Sequence, residues 1–239
     1  MSTTRTYPGL HPAPSTRHLI WAIALFVLSL VGAAITGVAM VYLADQIGVS
    51  RSALVPFGVL LGGAVASAAV LRAGLMHRGQ WGWRELGFVR PAHSLWHLVW
   101  WIPLTIISGA VCASILGPRL GMETTEPSIP GAFALGVPAG IAVALCIVVL
   151  VPLFEEIVFR RVLLDWLATR MPLWLAAVVL TLAFTAVHVV PETMLYIIFL
   201  SISLTYARLW FSSLWATLAI HAANNAVVAG LALMALSSG

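Results

Sequence analysis

Seven apolar runs, each of a length to cross a bilayer, follow one another along this chain and leave it few folds to choose from. They cover roughly residues 18–44, 52–75, 94–116, 132–167, 173–190, 193–210 and 213–236. A hydrocarbon core about 30 Å thick takes about 20 apolar helical residues to span. Lipid offers the backbone no hydrogen-bond partner, so each run must satisfy its own N–H and C=O groups, as a helix does. The expected fold is an all-α, polytopic transmembrane helix bundle of about seven spans, or eight. The fourth run is too long for one simple crossing and contains Pro138 and Pro152, which points to a kink or a projecting end. A mean hydropathy of +1.02 excludes a soluble domain.

Charge orients the bundle. All 12 basic residues are arginine. With the N-terminus inside, ten fall on or toward the cytoplasmic side and only Arg51 and Arg119 fall outside, as the positive-inside rule requires. An outer loop adds Glu123 and Glu126. Basicity therefore marks membrane orientation, and no nucleic-acid partner is expected. Residues 1–17 read as a disordered cytoplasmic tail, 18–131 as N-terminal spans with an interfacial loop, and 132–236 as the catalytic core. That loop, residues 79–91, sets Trp81 and Trp83 beside arginines, the pattern of an interfacial anchor; substrate recognition is its alternative reading. Cys112 and Cys146 lie in apolar runs and behave as small hydrophobes.

In a chain with 8% charged residues, ions within the apolar runs need a reason. A charge near the bilayer centre costs about 2.5–3.5 kcal/mol, so Glu155, Glu156 and Arg160 would together cost roughly 9 kcal/mol unpaired. Glu156 and Arg160 are four residues apart and share a helix face, with the acid placed first. Glu155 is rotated about 100° away and is expected to point elsewhere, leaving one glutamate neutralised and the other free. Phe184 and His188, and His221 and Asn225, repeat the four-residue spacing on later runs. Each pair is ordinary alone, since intramembrane ion pairs, histidines and asparagines often only join helices. Asp165, near the cytoplasmic end, is set aside, and Glu192 reads as a solvated loop charge.

Together, the E-E-x-x-x-R of Glu155–Arg160, the F-x-x-x-H of Phe184–His188 and the H-x-x-x-N of His221–Asn225 resemble the CPBP (CAAX protease and bacteriocin-processing) family. Its intramembrane endopeptidases include the CAAX prenyl endopeptidase and bacterial relatives linked to bacteriocin immunity. The likeness covers roughly residues 132–228, and Leu86-Gly87-Phe88 also looks family-like. The resemblance implies a glutamic-type protease in which Glu155 activates water with His188. It makes His221 and Asn225 the oxyanion hole, with Glu156 and Arg160 fixing the glutamate helix. Burial and donors of this kind suit that chemistry independently.

No metal is expected. The H-E-x-x-H pattern is absent, and Arg160 already compensates the glutamates' charge; a zinc-dependent protease is the alternative within enzymes. A non-proteolytic scaffold or immunity protein of the same fold, and a proton-coupled transporter, are the readings from other classes. The expected partners are the bilayer and a membrane-associated protein or peptide, lipidated or not. A bacterial plasma membrane is the expected location. Counting 1.5 Å per residue, Glu155, His188 and His221 lie about 20–22 Å from the cytoplasmic ends of their helices, which places them at one level.

Overall fold

Helix α1 spans Thr16–Ile47 and α2 spans Arg51–Arg78. After the interfacial loop, a short 3₁₀ turn, Leu95–His97, leads into α3, Leu98–Arg119. The fourth helix, α4, runs Val137–Ala168, and α5, Leu173–Ala186, is the shortest of the seven. α6 is Pro191–Phe211 and α7 is Leu214–Ser237. The structure is a computed structural model and describes residues 13–121, 130–188 and 191–237. Six of its helices are long and apolar enough to cross a membrane, and α5 is a shorter apolar helix. The protein is thus an all-α polytopic helix bundle, as expected. Arg5, Glu123, Glu126 and the first 12 residues lie outside the described residues. The final part of the expected tail, from Thr16, is already helical.

One expectation for α4 changes. Pro138 does not kink it but lies in its first turn, where proline's missing N–H would have had no partner anyway. Gly136 turns the chain into the helix with φ +99°, a conformation that glycine adopts at no steric cost. The helix also widens into π-winding at Cys146–Leu150, just ahead of Pro152, and at Glu156–Leu163. A proline inside a helix removes one bond from its ladder. π-segments of this kind occur often at functional sites.

The chain divides into two compact units. One comprises residues 20–80, 126–154 and 222–239. Here α1 and α2 meet through small residues. A Cβ added at Gly62 would fall 2.1 Å from Thr36 Oγ1, and one at Gly32 would fall 2.7 Å from Ala66 Cβ. Lipid supplies no hydrophobic drive between helices, so close backbone approach of this kind holds them together.

The other unit comprises residues 1–19, 81–125 and 155–221. Its core packs Trp101 of α3 against Leu200, Leu204, Ala207 and Phe211 of α6 and Ala216 and Ile220 of α7. Polar groups beside this core pair with one another. Trp101 Nε1 donates to Ser203 Oγ at 3.0 Å, and Ser203 lies 2.6 Å from Thr105 Oγ1.

The interfacial loop departs from its anchor reading. Trp83 is about half exposed, but Trp81 and Leu86 are buried. Trp81 stacks on His18 with ring centroids 4.1 Å apart and lies 4.4 Å from the Arg161 guanidinium carbon. An indole ring with a cation over its face is better placed inside protein than at headgroup depth.

Candidate active site

α4 passes from an apolar stretch into Glu155, the last residue before the second π-segment. Glu156 and Arg160 are fully buried and paired, with Arg160 Nη1 donating to Glu156 Oε1 at 3.2 Å. The four-residue spacing predicts this pair correctly. Arg160 also donates through Nη2 to Ser201 Oγ on α6 at 3.2 Å, and its guanidinium carbon sits 4.0 Å from the Phe184 ring centroid on α5. A buried cation held by a carboxylate, a hydroxyl and a ring face has replaced its hydration shell with fixed partners.

Glu155 lies on another face of α4 from Glu156 but is not left without a polar neighbour. Both glutamates meet the ring of His221. Its Nδ1 lies 2.8 Å from Glu156 Oε1, and its Nε2 lies 3.5 Å from Glu155 Oε2. Two physical features make this arrangement accessible. An imidazole presents its nitrogens on two edges, so carboxylates on different faces of α4 reach one ring. The π-winding that begins at Glu156 also departs from the 100° rotation of a regular α-helix. The two acids differ in environment: the Glu155 side chain is 20% exposed and that of Glu156 is sealed. Glu156 Oε1 accepts from Arg160 as well, so it acts as a carboxylate acceptor and His221 Nδ1 as the donor.

His188 lies in the turn that follows α5 and not within the helix. Its amide N–H donates to Thr185 O at 3.1 Å and its ring Nδ1 donates to Phe184 O at 2.7 Å. That bond fixes the tautomer and leaves Nε2 as an acceptor. Phe184 is the hub of the cluster. Its ring centroid lies 4.8 Å from that of His188, 6.1 Å from that of His221 and 5.0 Å from that of Phe159. The unit of residues 1–19, 81–125 and 155–221 thus brings together Glu155, Glu156, Arg160, Phe184, His188 and His221.

Asn225 follows His221 by four residues on α7 and belongs to the unit of residues 20–80, 126–154 and 222–239. There its Nδ2 donates to Ile147 O at 2.9 Å and its Oδ1 accepts from Asn224 Nδ2 at 3.2 Å. Among the described residues, no three His, Cys, Asp or Glu side chains form a group arranged to hold a metal ion.

A second buried ionic cluster escaped the sequence reading. Arg161, Asp165 and Arg208 are each almost fully enclosed. Asp165 Oδ2 accepts from Arg161 Nη1 at 2.6 Å and from Arg208 Nη2 at 3.3 Å. The signal for it was present: Arg161 and Asp165 have the same four-residue spacing as Glu156 and Arg160. Both were instead assigned to the cytoplasmic end of the helix.

Residues 137–227 match the family model described as type II CAAX prenyl endopeptidase Rce1-like. No curated protein and no solved structure matches the chain.

Proposed function

We propose, from the match of residues 137–227 to the Rce1-like family model, that this integral membrane protein is an intramembrane endopeptidase. It hydrolyses a peptide bond in a membrane-associated protein or peptide. The observation that carries this reading is the Glu155–His221–Glu156 array, in which a partly exposed acid and a sealed acid flank one imidazole.

Glu155 is the general base. It takes a proton from a water molecule as the oxygen attacks the peptide carbonyl, and it returns that proton to the departing amine when the C–N bond breaks. His188, with Nδ1 committed to Phe184 O, accepts a hydrogen bond from the same water at Nε2 and aims it. The oxyanion formed by the attack receives donors from His221 Nε2 and Asn225. His221 Nδ1 is occupied by Glu156, so Nε2 donates only from the doubly protonated ring. A carboxamide has two N–H donors, so the bond to Ile147 O leaves Asn225 one for the oxyanion. A preorganised donor of this type contributes about 2.7–4 kcal/mol to the transition state.

Glu156 and Arg160 take a more specific role than stiffening the helix. They hold His221 by its far nitrogen and fix the face it presents, as a buried carboxylate does for a catalytic histidine elsewhere.

The test is cleavage of a fluorogenic peptide panel, lipidated and unlipidated, by detergent-purified protein. Removing a general base costs about 10²–10⁴-fold in rate, and Glu155→Gln is expected to lose that much. Equal cleavage by Glu155→Gln and wild type would defeat the mechanism. A chelator arm accompanies it: unchanged activity is the expected result, and loss restored by zinc would replace the glutamic mechanism with a metal-assisted one.

A further inference from the structure

We propose that Arg161 is a positioning residue, which sets the glutamate helix against the helix of His221 by pinning the interfacial loop to both. The role rests on the protease reading above and assigns a task to a cluster that the proposed chemistry does not use.

Three observations converge on Arg161. First, it is buried and makes two directed bonds at once, from Nε to Glu85 O at 2.6 Å and from Nη1 to Asp165 Oδ2 at 2.6 Å. One bond reaches the loop and the other returns to its own helix. Only a planar guanidinium offers donors in a fixed fork for this; a lysine ammonium serves as a single point charge. Its face is also covered by Trp81 of the same loop.

Second, the loop it holds is fastened to the end of α6 and the start of α7. Leu214 N–H donates to Gly87 O at 2.9 Å, Ser213 Oγ donates to Val89 O at 2.7 Å, and Ala92 N–H donates to Phe211 O at 2.8 Å. Gly87 sits at the junction with φ +94°. A Cβ there would meet Leu214 Cγ at 3.1 Å and Arg161 Cδ at 3.3 Å, so the absence of a side chain lets the loop touch both helices.

Third, the geometry is transmitted over a short, stiff distance. Arg161 is five residues beyond Glu156 on α4, and His221 is seven residues, about two helical turns, beyond Leu214 on α7. A shift of the loop contact therefore moves the imidazole relative to its two carboxylates. Burying the three ions Arg161, Asp165 and Arg208 is an expensive way to join helices. A directed link between two functional helices accounts for that expense, whereas an apolar contact would serve for packing alone.

The experiment uses the full chain in detergent. It combines steady-state kinetics on the best peptide of the panel with amide hydrogen exchange. Arg161→Lys keeps the charge and loses the fork; Gly87→Ala disturbs the same junction without touching a charge. Displacement of reacting groups by about 1 Å can cost on the order of 10²-fold. Each variant is expected to lose at least about tenfold in kcat, with KM within about twofold of wild type, and faster exchange over residues 81–89. The proposal is overturned if exchange accelerates while kcat per folded molecule stays at the wild-type value, or if KM alone rises. If Arg161→Lys does not fold, Gly87→Ala decides by the same readings. A wild type no faster than Glu155→Gln defeats the protease reading, and the positioning role falls with it. Accelerated exchange in that case shows that Arg161 holds the loop, but not that it positions reacting groups.

Discussion

Arg160 and Arg161 are adjacent in sequence and serve two buried clusters of opposite character. Arg160 faces Glu156, Ser201 and the Phe184 ring. Arg161 faces Asp165, the Glu85 carbonyl and the Trp81 ring. The first cluster includes an imidazole and ends in an acid that is 20% exposed. The second is sealed and sets a carboxylate between two guanidiniums. An ion set built for proton transfer needs one group that can change its proton and one opening through which a substrate arrives. A set built for architecture needs neither and is better closed. Both clusters satisfy the same demand that charge inside a membrane bundle be paired, so pairing alone does not distinguish them. Access and a titratable ring do.

The sharpest way to break this contrast is Asp165→Asn. It removes the acid between two buried guanidiniums, and breaking a buried ion pair from one side costs about 3–5 kcal/mol. Thermal unfolding in detergent should show a large loss of stability. An unchanged unfolding midpoint would mean that the sealed cluster does not have the structural character assigned to it.

Ser201→Ala is the milder counterpart in the open cluster. It takes one acceptor from Arg160, and a hydrogen bond to a charged group is worth about 1.5–3 kcal/mol. The same unfolding assay should place it between wild type and Asp165→Asn. A loss larger than that of Asp165→Asn would reverse the ranking of the two clusters.

The contrast also shows what the sequence discloses. The helices were legible because lipid imposes apolarity and, on six of them, a spanning length, and their limits fall within a few residues of the apolar runs. The Glu156–Arg160 pair was legible because an acid followed by a base at four residues is a local helical relation. Arg161–Asp165 has the same spacing in the less favourable order. Its third member, Arg208, lies 43 residues away, so nothing local revealed the triad. The joint grip of Glu155 and Glu156 on His221 was hidden for two reasons. It depends on a π-segment that hydrophobic periodicity does not mark, and on a ring from a helix 65 residues later. Trp81 was misread because a tryptophan beside arginines has the same composition at a headgroup surface as in a buried cation–π stack.

The account's central claim is that, of two adjacent glutamates on one histidine, the accessible one carries the proton. The single-turnover rate of peptide cleavage by Glu155→Gln, set beside that of wild type at matched folded concentration, tests it most directly. The account predicts a protein that unfolds at nearly the wild-type temperature and cleaves about 10²–10⁴-fold more slowly. A folded Glu155→Gln protein that cleaves at the wild-type rate would contradict it.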